Sequence, residues 1–134
     1  MTPPTGIVVT GRHFRLAILE SPYAGDVDAN VAYARQCVRH CLERGDSPIA
    51  SHLLFTQPGI LDDGVPAERE LGIDAGLAWG RAADVTVVYV DRGISRGMKE
   101  GIRRACREGR PVEFYLVGEK GPVSVDPELY EVAS

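Results

Sequence analysis

The chain has no apolar run long enough to span a bilayer, and its start, MTPPTGIVV, lacks both a basic segment and a long apolar core. Neither a membrane-spanning protein nor export by a standard signal is expected, and the cytoplasm is the expected compartment. Cysteine is scarce: Cys37, Cys41 and Cys106 are odd in number and without CxxC spacing. That pattern argues against a disulfide framework and a structural metal, and suits buried reduced thiols on one helix for Cys37 and Cys41. Basic residues form no long run in a chain of net charge −4 and pI about 5.3. A nucleic-acid polymer gripped by its backbone is therefore not an expected partner. No internal repeat is visible, a Walker loop is missing, GxGxxG does not follow the first strand, and neither GxSxG nor HExxH occurs. No cofactor and no metal are expected.

What the chain does contain is an alternation of short β-branched runs with helical patterns. Its 134 residues suffice for one domain with its own core. Residues 1–6 read as a loose start, and Ile7 to Thr10 as a short edge strand turning at Gly11 and Arg12. Leu16 to Leu19 make the first core strand. Val31, Ala34, Val38 and Cys41 or Leu42 then recur at helical spacing, with Asp28 as the expected cap and Gly45 as the stop. A strand from Ser47 to Ala50 precedes the loop SHLLFTQPGILDDGVPAE, long enough to suggest a lid or a binding loop. A helix from Ala67 to Ala83 follows, with Gly72, Gly76 and Gly80 at four-residue spacing. Each glycine costs roughly 1 kcal/mol of helix stability, so the stripe predicts close packing on the sheet or on a twin subunit. Strand Val85 to Val90, helix Ser95 to Glu108 stopped by Gly109, and strand Val112 to Leu116 complete the pattern, and 118–134 reads as a surface tail. The predicted fold is α/β, a doubly wound three-layer domain of flavodoxin-like or Rossmann-like type with four or five parallel strands.

In such sheets ligands bind outside the carboxyl ends of the strands. The junction YVDRGISRGMKEGIRRA places Asp91 at a strand end and Ser95 at a helix start, with Arg92, Arg96 and Lys99 making the loop locally basic. That is a candidate anion site beside a carboxylate. Three other stretches meet the same edge. Ser21, Tyr23, Ala24 and Gly25 form a small-residue turn; His52, Phe55 and Gln57 can stack on or hydrogen-bond a heterocycle; and Glu70 lies in the first turns of the Ala67 helix.

Taken in order, SPYAGDVDANVAYA, PIASHLLFTQ, ERELGIDAGL, VVYVDRGISRGMKEGI and RPVEFY resemble the nucleoside 2-deoxyribosyltransferase-like superfamily, particularly a small branch common in phages and actinobacteria. The resemblance runs from Leu16 to Tyr115. It implies attack by a glutamate on the anomeric carbon of a nucleoside or nucleoside 5′-phosphate, with a strand-end aspartate holding the sugar. Carried over, it implies Glu100 as nucleophile and Asp91 as the sugar-orienting acid. It further implies Ser21, Ser95, Arg96 and Gly97 around a phosphate, and His52 and Tyr23 at the base. The superfamily spacing Ser-x-Gly-x-x-x-Glu falls on Gly101, one residue beyond Glu100, and one residue turns a helical side chain by about 100°. Two expectations follow: an N-glycosidase or deoxyribosyltransferase, or a nucleotide-binding sensor or sponge whose nucleophile has drifted. A homodimer or larger homo-oligomer is expected with either.

Overall fold

The computed structural model describes residues 13–131, so the expected strand Ile7–Thr10 and the loose segment 1–6 lie outside the described residues. Four strands, β1 (Arg15–Glu20), β2 (Asp46–Ile49), β3 (Val85–Tyr89) and β4 (Val112–Tyr115), form one sheet in the order β2-β1-β3-β4. All three pairings are parallel, and Ile18 lies opposite Ile49 on one side and Thr86 on the other. The helices between them are α1 (Val27–Arg44), α2 (Ser51–Leu54), α3 (Pro66–Ala78) and α4 (Arg96–Arg107). The doubly wound α/β fold is thus present with four strands among the described residues.

Two-residue alternation along the strands sends side chains to two separate cores. Ala17 and Leu19 of β1 and Val85, Val87 and Tyr89 of β3 pack with Tyr33, Cys37 and Cys41 of α1. On the opposite face Val88 and Phe114 pack with Met98 and Ile102 of α4. Cys37 and Cys41 are buried, Cys106 is exposed, and all are free thiols. The segment after β4 contributes to the α4 face: Val123 bridges Phe114, and Val123, Val125 and Tyr130 pack against that cluster.

Several boundaries differ from the sequence reading. The cap of α1 is Asp26, not Asp28; its side chain accepts from the Ala29 N–H at 3.2 Å, because Gly25, at φ 99°, turns the chain into the helix earlier. The long loop carries α2 at its start, and its far part is tied by Leu61 N–H donating to Phe55 O at 3.0 Å. Instead of running to Ala83, α3 ends at Ala78 and tightens into a 3-10 turn, Trp79–Ala82. There the Gly80 carbonyl accepts both the Ala83 N–H at 3.1 Å and Arg110 Nη1 at 2.8 Å.

The glycine stripe packs against this same chain. A Cβ on Gly76 would lie 2.5 Å from Ser51 Cβ, and one on Gly80 would lie 2.9 Å from the Arg110 guanidinium. A twin subunit therefore cannot use those positions.

At the amino ends of β1, β2 and β4 four charges pair with one another. Asp46, 4 % exposed, receives Arg15 at 2.8 Å and Arg44 at 2.7 Å, while Arg15 also reaches Glu113 at 2.8 Å. Those guanidinium groups hold the Asp46 and Glu113 carboxyls below the usual carboxylate range despite partial burial.

Candidate functional site

Chain order and sheet order part company between β1 and β3. The chain leaves β1 for α1 on one face and leaves β3 for α4 on the other, which opens a crevice beyond the carboxyl ends of these adjacent strands. A cavity of about 290 Å³ lies there, floored by Ile18 and Leu19 and walled by Ile73 and Leu77 of α3 and Met98 of α4. That is near the lower end of ligand pockets, roughly 300–1,000 Å³.

Behind β1, the turn from Ser21 to Asp26 is held from below by a residue of α1. Asn30, 8 % exposed, donates through Nδ2 to the carbonyls of Tyr23 at 2.9 Å and Ala24 at 3.0 Å. Those bonds satisfy backbone groups that the turn could not pair itself and fix Tyr23 at the cavity wall. Ser21 Oγ meets His52 Nε2 of α2 at 3.0 Å, and the Tyr23 and His52 rings stand 5.4 Å apart, tilted by 49°. Burial pushes His52 down to about 4, so its imidazole is neutral at pH 7 and offers one donor and one acceptor nitrogen.

The opposite wall is the start of α4. Ser95 caps the helix, its Oγ accepting from Met98 N–H at 3.3 Å, and Ser95, Arg96, Gly97 and Glu100 all line the cavity. The helix start, with Arg96 in its first turn, makes this wall favourable to an anion. Glu100 sits at the rim with half its side chain in solvent, paired to Arg103 at 3.4 Å and Arg107 at 3.7 Å.

The remaining expected residues are placed elsewhere. Asp91 does not line the cavity: its carboxylate accepts from the Tyr33 hydroxyl at 2.6 Å and from the Val117 N–H at 3.2 Å. It ties the β3–α4 loop to α1 and to the end of β4, and together with burial it pushes the Tyr33 hydroxyl up. Glu70 is exposed on α3 outside the cavity, where its neighbour Arg69 lines it instead. Gly25 is exposed behind Tyr23 and Ala24, its left-handed φ serving the turn. Phe55 lines a small adjoining cleft that shares His52 and Arg69 with the main cavity.

Sequence reasoning passed over Glu20 and Arg69, which line the cavity together with Asp63, and Asn30 beneath it. Glu20 is the most telling. It ends β1 on the same face as Ile18, and its side chain has no hydrogen-bond or ion-pair partner among the described residues. Its carboxylate lies over Gly101 so closely that a Cβ there would stand 2.2 Å from Oε2 and 2.3 Å from Cδ. Burial pushes its carboxyl up to about 8, only partly opposed by the more distant Arg110. The alternation Ile18–Glu20 was the available signal, since it put a carboxylate on the cavity face of a buried strand. Among the described residues no group of three or more His, Cys, Asp or Glu side chains is arranged to hold a metal ion, and no helix is long and apolar enough to cross a membrane.

Fold and crevice together define a doubly wound α/β protein with a cavity at the switch point of its sheet. The structure of a 2-deoxyribosyltransferase from the psychrotolerant bacterium Bacillus psychrosaccharolyticus, described as a biocatalyst for nucleoside synthesis, superposes with a TM-score of 0.50 and 18% identity. The match covers 75% of this chain and 72% of that one. At that identity the likeness is one of fold. The chain belongs to the family described as Domain of unknown function (DUF7768), whose model matches residues 15–115. No curated protein matches the chain.

Proposed function

We propose that the cavity binds a nucleoside or nucleoside 5′-phosphate and that the protein acts at its N-glycosidic bond. The observation that carries the reading is one cavity, at the switch point of the sheet, whose walls are complementary to the three parts of such a ligand. The start of α4, with Ser95, Arg96 and Gly97, suits the phosphate, and Ser21 flanks it across the crevice. The Tyr23–His52 pair suits a heterocycle, with a neutral imidazole whose Nε2 is engaged by Ser21 and whose Nδ1 can donate or accept. Glu100, at the rim of the α4 wall, is the nucleophile in this reading. Asp91 enters as the residue that fixes the β3–α4 loop from behind, by its bonds to Tyr33 and Val117.

A second reading, binding without cleavage, is favoured by the ion pairs of Glu100 with Arg103 and Arg107, which stabilise it where it stands at the rim. In both readings we propose a homodimer, supported by α3 and the 3-10 turn that follows it, which leave Leu71 58% and Trp79 52% exposed. Light scattering behind size exclusion that gives the mass of one chain at all concentrations refutes it.

The deciding experiment incubates concentrated protein with a panel of nucleosides and nucleoside 5′-phosphates, followed by ultrafiltration and chromatography of filtrate and heat-released retentate. Free base establishes cleavage, and Glu100→Ala then tests the nucleophile. A ligand recovered intact from the retentate establishes binding alone. If neither free base nor retained ligand is found, the proposed ligand class is refuted.

A further inference from the structure

We propose that Glu20 is the cavity's hydrogen-bond donor, a carboxylic acid laid over the bare Cα of Gly101 to meet an acceptor atom of the bound ligand. The inference deepens, and rests on, the reading of the cavity as a nucleoside or nucleotide site.

Three observations converge on it. First, position: Glu20 ends the strand that floors the cavity and points to the cavity face, in the space a side chain at 101 would occupy. Second, pairing: the other acids of the interior and rim are engaged. Asp46 is held by Arg15 and Arg44, Glu108 by Arg104 and Arg110, Glu100 by Arg103 and Arg107, and Asp91 by Tyr33. Glu20 has no such partner among the described residues, so its unmet hydrogen-bonding capacity is directed to whatever fills the cavity. Third, surroundings: the titratable groups around that cavity are Tyr23 from the turn after β1, His52 from α2, Asp63 from the loop before α3, Arg69 from α3, and Arg96 and Glu100 from α4. None of them bonds the carboxyl, and Arg110 acts on it only at a distance. Burial then favours the neutral acid at neutral pH, and a neutral acid donates where a carboxylate only accepts.

Nucleosides offer suitable acceptors in the sugar ring oxygen, the hydroxyls and the base. A ligand held this way binds the protonated form, so its affinity falls as pH rises through the Glu20 titration. Glu20→Gln keeps a donor and removes the titration; Glu20→Ala removes both.

The experiment follows the side-chain carboxyl carbons by NMR from pH 4 to 10, with Glu20→Gln assigning the signal. It is done without ligand and with each of the four 2′-deoxynucleosides and their 5′-monophosphates, with affinities measured at pH 6.5 and 9.5. The expected result is a free-protein midpoint near 8, raised by about one pH unit by a bound panel member, which is a tenfold preference for the protonated form. The Glu20→Gln protein should bind the same ligand with an affinity that does not follow that titration, and Gly101→Ala, which pushes the carboxylate aside, should bind at least tenfold more weakly. A free midpoint near 4.5 overturns the inference. So does a panel member that binds and leaves the midpoint unmoved, and in that case the ligand class stands. Failure of every panel member to bind overturns the ligand class and the inferred contact together.

Discussion

Replacing Glu20 by glutamine keeps the shape of the side chain and removes one titration, which makes it a clean probe of the cavity without any ligand. In the native protein this carboxyl titrates at about 8, against an ordinary 4.5 when unfolded. Between those values the native state holds a proton that the unfolded state has lost, so stability falls as pH rises from 4.5 to 8 and is level outside that window. At about 1.36 kcal/mol per pH unit the whole span corresponds to about 5 kcal/mol. Because one side of the carboxyl faces the open cavity, solvent screening brings the expected effect down to about 2–3 kcal/mol. His52 works in the opposite sense: with its native value lowered from 6.5 to about 4, it makes stability fall as pH drops through that range. Subtracting the Glu20→Gln protein from the wild type removes the histidine contribution, which both share. Urea denaturation at intervals from pH 5 to 9 should show the wild type losing about 2–3 kcal/mol relative to the glutamine variant, about 1–2 M in midpoint. A difference that stays flat across the range refutes the assignment of Glu20 as a partly buried, unpaired acid.

Other perturbations test other parts of the framework. Gly76→Ala puts a Cβ 2.5 Å from Ser51 Cβ and should destabilise by about 1 kcal/mol, overpacking of about 1–3 kcal/mol outweighing the gain in helix propensity. Gly97→Ala, where a Cβ meets open space, should lose nothing by the same denaturation assay. Asn30→Ala leaves the Tyr23 and Ala24 carbonyls without their side-chain donor. It should cost about 1–3 kcal/mol, and hydrogen exchange should quicken in the Ser21–Asp26 turn rather than throughout the domain. Asp46→Ala strands Arg44 and half-strands Arg15 beneath α1, and a loss of about 3–5 kcal/mol in chemical denaturation is expected.

The fold was legible because its buried elements announce themselves locally. The valine run of β3, the spacing of α1 with Gly45 behind it, and Ser95 before α4 each place an element within a few residues of where it lies. The cavity lining was legible where it is built from helix starts and turns, as at Ser95 to Gly97 and at Ser21 with Tyr23. It was not legible where it depends on which side of an element faces inward. Arg69 and Glu70 are adjacent on α3, and only packing on α2, through Gly76 and Ser51, decides that Arg69 lines the cavity. The glycine stripe was read correctly as a close approach, but spacing alone does not name the neighbour. Asp91 stood at the expected strand end and found Tyr33 there, 58 residues earlier in the chain, which no local pattern reveals.

The contact between Glu20 and Gly101 also has a history written into it. A carboxylate from β1 and a side chain from α4 cannot occupy that space together, so neither position can change freely while the other is kept. A lineage that brings its acid in from the helix must shorten residue 20, and one that brings it in from the strand must keep residue 101 bare. Across the relatives of this chain the two sites, far apart in sequence, should therefore vary as a pair, with the acid passing from one element to the other only through an ancestor that lacked it at both.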